Sequence, residues 1–254
     1  MKNQSYWTGF RRKSVSGIIV FVPNKRLWAR LSAISSFIIK HIHTKMNHLT
    51  SIGGSIFDNA SYVPGQPSVI EQLRHKLPEN WKATLLAVDG DVTSDIIKQI
   101  SRLPEDASHL IISSGGNDAL SEIGILNESA RSVAEVLERF ANIRVDFQGK
   151  YHKMLKHVLN LGKYVIICTI YDTIPGLEKP ALTALSMFNE IILREAFLAK
   201  VPVIDLRLVF SESSDYSELS PIEPSSTGGA KMVKRLIHLL KNYNFGADHS
   251  EVYS

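Results

Sequence analysis

Between His48 and Lys241 the spacing of apolar residues switches repeatedly between two periods. Leu49-Thr50-Ser51-Ile52 reads as a short strand that stops at Gly53-Gly54. Val69, Leu73 and Leu77 recur at helical spacing and predict a helix over residues 69–77. Residues 83–88 form an unbroken apolar run closed by Asp89-Gly90, which predicts a strand buried on both faces. Thr93 or Ser94 can cap a helix that runs to Leu103 and is ended by Pro104. His109-Leu110-Ile111-Ile112 predicts the next strand, closed by Ser113-Ser114-Gly115-Gly116. Over residues 129–161 helical periodicity appears in Val133, Val136, Leu137 and Phe140, and again in Met154, Leu155, Val158 and Leu159. Residues 142–148 mark a break between two helices there. A strand over 164–170, a helix over 181–198, a strand over 201–206 and an amphipathic helix over 228–241 complete the series.

Strand and helix therefore alternate, with short connections and no internal repeat. That order predicts an α/β protein: one three-layer α/β/α sandwich, flavodoxin-like, around a mostly parallel central sheet. Open sheets of this kind bind ligands at the carboxyl ends of their strands. The chemistry is therefore expected in the loops after Ile52, Val88, Ile112, Ile170 and Leu206.

Composition alone, 254 residues with 44% hydrophobic and 21% charged, fits one well-packed domain. Charge changes the picture more. The net charge of +4 hides nine basic and no acidic residues in the stretch 1–47, leaving 20 basic against 25 acidic residues beyond it. The body is acidic and has no basic stripe, which argues against a nucleic-acid partner. The basic leader has apolar pieces over 17–22 and 27–42, interrupted by Pro23, Lys25, Arg26 and Arg30. Neither reaches the roughly 18–20 apolar residues of a membrane span, and Lys25 and Arg26 break the apolar core of a signal peptide. The expectation is a basic leader at 1–45, a folded domain at 46–245 and a polar tail at 246–254. A cytoplasmic location follows, with weak membrane-surface contact through a basic helix around residues 27–43 left open. The single cysteine, Cys168, sits in an apolar run and reads as a small buried hydrophobe.

The strand ends carry a distinctive inventory. After the first strand comes Gly53-Gly54-Ser55-Ile56-Phe57-Asp58-Asn59, after the second Asp89-Gly90-Asp91, and after the third Gly115-Gly116-Asn117-Asp118. Pro221-Ile222-Glu223-Pro224-Ser225 precedes the last helix. A hydroxyl, a bare backbone amide and a side-chain amide converging on one sheet end make up a nucleophile with an oxyanion hole. Taken singly, each has a plain structural reading as a turn glycine, a helix cap or a capping pair.

Taken in order, these blocks resemble those of the SGNH (GDSL-type) hydrolases over residues 46–240. The resemblance implies that Ser55 is the nucleophile. It also implies that the amides of Ser55 and Gly90 and the side chain of Asn117 hold the oxyanion, with no cofactor required. Two departures stand out. Gly53-Gly54-Ser55 replaces the usual Gly-Asp-Ser, and Ser220-Pro221-Ile222-Glu223 stands where Asp-x-x-His is usual. Glu223 is thus either the base or a residue left after loss of catalysis. Among the histidines, His109 opens a strand at the end opposite the site, and His41, His43 and His48 precede the blocks. His152 alone could lean over the strand ends, although a solvated helix face is the plainer reading, and none has metal-ligand spacing.

The resemblance implies a metal-independent hydrolase of small acyl or acetyl esters, with a small-molecule ester as its partner. The alternative is an impaired SGNH-fold protein that binds an ester, acyl or glycan ligand.

Overall fold

In the computed structural model, structure is described for the backbone of residues 10–15 and 18–23 and for residues 46–254. The chain divides into two units, Met1–Met46 and Asn47–Ser254. In the first, β1 (Phe10–Val15) and β2 (Ile18–Pro23) pair as an antiparallel hairpin, strands that the leader's apolar pieces had not suggested. The surface helix expected around residues 27–43 lies outside the described residues.

The second unit is built on six parallel strands: β3 (Asn47–Gly53), β4 (Trp81–Leu85), β5 (His109–Ser113), β6 (Tyr164–Cys168), β7 (Val203–Ile204) and β8 (Val252–Tyr253). Their spatial order is β4-β3-β5-β6-β7-β8. The helices are α1 (Val69–Lys76), α2 (Ile96–Ile100), α3 (Gly116–Ser121), α4 (Val133–Leu159), α5 (Lys179–Leu198), α6 (Leu206–Val209) and α7 (Ser226–Asn242).

Alternation along the strands splits the core into two layers. Leu49, Ile111, Ile166 and Ile204 face one side, where they pack with Leu73 of α1 and Met232, Val233 and Leu236 of α7. Leu110, Ile112, Val165 and Ile167 face the other, against Ile96 of α2, Leu155 and Val158 of α4 and Ile191 and Ile192 of α5. This is a three-layer α/β/α sandwich. The order in which strands are added reverses at β3, because β4 lies on one side of it and β5 on the other. A crevice opens at such a switch point, outside the carboxyl ends of the strands.

Three local expectations are corrected. The run 83–88 is not a strand buried on both faces: β4 spans Trp81–Leu85 at the sheet edge, and only Ala83 in it is buried. Residues 86–88 leave the strand and donate backbone hydrogen bonds to Ser51 and Gly53. Secondly, α4 is one continuous helix of 27 residues rather than two. Nothing in 142–148 removes a backbone donor, and the ion pairs Glu135–Arg139 (2.6 Å) and Asp146–Lys150 (2.6 Å) support the turns on either side of Asn142. Thirdly, the polar tail supplies β8, where Tyr253 is buried and pairs with Ile204. Two residues carry too little periodicity to announce a strand.

Candidate active site

The exit of β3 is fixed by a glycine that no other residue can replace without displacement. Gly53 has φ +128°, and a Cβ placed on it would lie 1.8 Å from the carbonyl oxygen of Ser113 on β5. Gln99 of α2, fully buried, accepts from the Gly53 N–H (2.8 Å) and donates to its carbonyl (2.8 Å) and to Asp91 Oδ2 (2.7 Å). One side chain thus ties the first block to the second. Ser55 follows this turn and is 9% exposed.

Ser55 Oγ donates to Glu223 Oε1 at 2.8 Å, across 168 residues of sequence. Glu223 is 4% exposed, and its second oxygen, Oε2, is buried without a partner. Burial pushes the Glu223 carboxyl up to about 7; the bond from Ser55 opposes this, and the negative charge of Asp89 adds to it. The loop around Glu223 is held from several sides. Its N–H donates to Ser220 O (3.0 Å) and its C=O accepts from Ser217 N–H (2.8 Å). Tyr171, at the end of β6, donates its hydroxyl to Ile222 O, and Asn59 donates to Pro224 O at 3.1 Å. Ser220, which stands where the usual acid would be, contributes only that backbone carbonyl.

Asn117 lies at the start of α3, its Nδ2 donating to Asp91 O at 2.9 Å, which leaves the amide's second N–H free to point elsewhere. Asp118, beside it, is buried and accepts from Thr93 N–H (2.9 Å) and Thr93 Oγ1 (2.8 Å), locking the second block to the third. Gly90 sits in the exposed turn after β4. Among the described residues neither the Ser55 N–H nor the Gly90 N–H has an acceptor.

A cavity of about 140 Å³ opens beside these groups. Gly54, Ser55, Asp91, Asn117 and Glu223 line it, together with Ser113 and Ser114; Gly90 does not, and its neighbour Asp91 represents the second block there. Apart from Glu122, the remaining wall is mostly apolar and comes from α3, the 3₁₀ turn Ile123–Asn127, α4, the loop after β6 and α5. Among the described residues no group of His, Cys, Asp or Glu is placed to hold a metal ion.

No family model matches the chain, and no curated protein sequence matches it. Solved structures do. A lipase from a goat rumen metagenome superposes with a TM-score of 0.61 at 22% identity, covering 75% of this chain and 95% of that one. A lipolytic protein of the G-D-S-L family from Veillonella parvula gives 0.56 at 16% identity, with 77% and 99% covered. A variant of an acetyl xylan esterase from Geobacillus stearothermophilus gives 0.54 at 15%, with 76% and 93% covered. The fold is that of the SGNH/GDSL hydrolases.

On this SGNH frame, the sequence blocks that carry Ser55, Asn117 and Glu223 meet at one cavity, and among the described residues no histidine lines it. His152 on α4 pairs with Glu195 Oε2 at 2.8 Å, its side chain 64% exposed. His109 is stacked among Trp81, Tyr164 and Phe245 at the amino end of β5, and burial holds it down at about 4. Sequence reading missed Asn59, Tyr171 and Gln99 as supports of the site. Asn59 is fully buried, and besides gripping Pro224 it accepts the N–H of Val69 at the start of α1 (2.9 Å). Its only sequence signal was its place four residues after Ser55.

Proposed function

We propose that the chain is a serine-dependent ester hydrolase in which Glu223 serves as the base. The observation that carries this reading is the 2.8 Å bond from Ser55 Oγ to a buried carboxylate whose affinity for protons is raised to about 7. An ordinary carboxylate is a poor base for a hydroxyl. Burial improves the match, because a base works best with a pKa near the operating pH. The esterases and lipases that share the fold support an ester as the class of substrate.

In the proposed reaction, Ser55 Oγ forms a bond to the ester carbonyl carbon as its proton passes to Glu223. The carbonyl π electrons move onto oxygen, which takes hydrogen bonds from the Ser55 amide and from Asn117 Nδ2; the Gly90 amide, which the sequence suggested as a further donor, lies outside the cavity lining. Collapse of this intermediate breaks the bond to the alcohol, which leaves with the proton held by Glu223. A water then gives a proton to Glu223 and attacks the acyl–Ser55 carbonyl; the acyl–Oγ bond breaks, the acid leaves, and Glu223 returns the proton to Ser55 Oγ. Preorganised donors of this kind each contribute about 10²–10³ in rate. Asn117 is steadied for that role by Asp91 and the Asp118–Thr93 contacts.

The test is covalent labelling of Ser55 by a fluorophosphonate across pH 5–9, read by mass spectrometry. Labelling should rise through a single ionisation near 7 and be absent in Ser55→Ala. Glu223→Gln keeps the size of the side chain but removes the basic oxygen, and it should flatten the profile and slow labelling. Unchanged labelling in Glu223→Gln would exclude Glu223 as the base. No labelling in the wild type would favour a ligand-binding protein on a hydrolase fold.

A further inference from the structure

We propose that the cavity beside Ser55 takes an unbranched aliphatic acyl chain of about six carbons, rather than an acetyl group or a carbohydrate. This rests on the reading of Ser55 as nucleophile and names the acid part of its ester. The polar lining comes from the strand-end loops around Ser55, with Glu122 added from the exposed turn after α3. Away from those loops the wall is built by Ile125, Phe140, Ile143, Leu177, Ala184 and Phe188, from the 3₁₀ turn, α4, the β6–α5 loop and α5. None of these can pair with a sugar hydroxyl, and a buried hydroxyl without a partner opposes binding. An acetyl group would leave most of the space unfilled.

Size sets the chain length. A dry apolar cavity of about 150 Å³ accommodates benzene, a six-carbon body, and this cavity measures about 140 Å³. The entrance is also apolar: Leu120 and Ile123 line the cavity while remaining 40% and 49% exposed. An acyl chain can therefore enter without meeting a polar barrier on that side. Ala184 marks where the volume is set, because a larger side chain on α5 at that position would project into the space.

The experiment compares p-nitrophenyl acetate, butyrate, hexanoate, octanoate and decanoate on the full-length protein. Each added methylene should raise kcat/KM about fourfold, or roughly 200-fold from acetate to hexanoate, and the rise should stop beyond hexanoate. Ala184→Phe should lower the hexanoate-to-acetate ratio at least tenfold, an internal comparison that a loss of folded protein does not alter. A flat series, or acetate as the best substrate, overturns the proposal. If no ester is hydrolysed, the catalytic reading fails separately, and binding of hexanamide and acetamide by calorimetry decides the pocket. Hexanamide binding at least twentyfold tighter, and weakened by Ala184→Phe, supports the aliphatic pocket; equal or absent binding overturns it.

Discussion

At the residue scale the unusual object is Glu223. A histidine at this position would be uncharged in the resting state, so its burial would cost little. A carboxylate must instead be buried either as a charge or with its proton. The raised value of about 7 means that the folded protein holds this proton over a range in which the unfolded chain has lost it. Between about 4.5 and 7 the folded state therefore binds more protons than the unfolded state, and stability falls as pH rises through that window. Glu223→Gln removes the effect. Its melting temperature should exceed that of the wild type at pH 8, and the gap should shrink toward pH 4.5. Thermal melts of the two proteins at matched pH values check this, and a gap independent of pH would contradict the burial argument. Oε2, buried without a partner, is consistent with the direction.

At the scale of elements, the site depends on loops being held to one another more than on any strand or helix. Asn59 bridges the Ser55 loop, the Glu223 loop and the start of α1 with two hydrogen bonds. Asn59→Ala leaves the Val69 N–H and the Pro224 carbonyl unpartnered in a buried region, at about 1–3 kcal/mol each when uncompensated. The variant should lower the urea midpoint and also slow Ser55 labelling at pH 8, because Pro224 adjoins Glu223. Asn59→Asp keeps the acceptor for Val69 but loses the donor to Pro224. It should recover part of the stability and little of the labelling rate. Equal recovery of both would reduce Asn59 to a helix cap. Tyr171 grips the other side of the same segment through Ile222, so Glu223 is positioned by its two neighbours rather than by its own backbone alone.

At the scale of the whole molecule, both apolar layers of the sandwich are made from residues 47–254. The acidic body therefore has a core of its own, and the basic leader is proposed to contribute little to it. Removal of residues 1–45 is proposed to leave the melting temperature within about 2 °C, because described residues of 47–254 already supply both apolar layers. Differential scanning fluorimetry checks this. A fall of 5 °C or more would show that the leader and body share buried surface. Removal of residues 246–254 should behave differently, because Tyr253 in β8 is buried and β8 pairs with β7. No described helix is long and apolar enough to cross a membrane.

Much of this architecture was legible in the chain because it follows from local rules. Short apolar runs such as 109–112 and 164–168, bounded by turn residues, suit a covered strand, and their alternation with helical periods leaves few topologies other than a parallel sandwich. The glycine-marked strand ends at Ser55, Gly90 and Asn117 could be found for the same reason, since tight turns demand particular residues at fixed places. What the sequence could not decide depends on partners distant along the chain. The run 83–88 is apolar enough for a central strand, yet its place at the edge is set by which strand pairs with β3. The two residues of β8 become a strand only because β7 offers an open edge. The Ser55–Glu223 bond joins positions 168 residues apart, and burial, with the nearby charge of Asp89, gives that carboxylate its affinity for protons. Asn59, Tyr171 and Gln99 looked like ordinary polar residues because their importance lies in the backbone groups they reach. Local pattern specifies elements and turns; burial, strand neighbours and long-range hydrogen bonds come into being only when the chain has closed on itself.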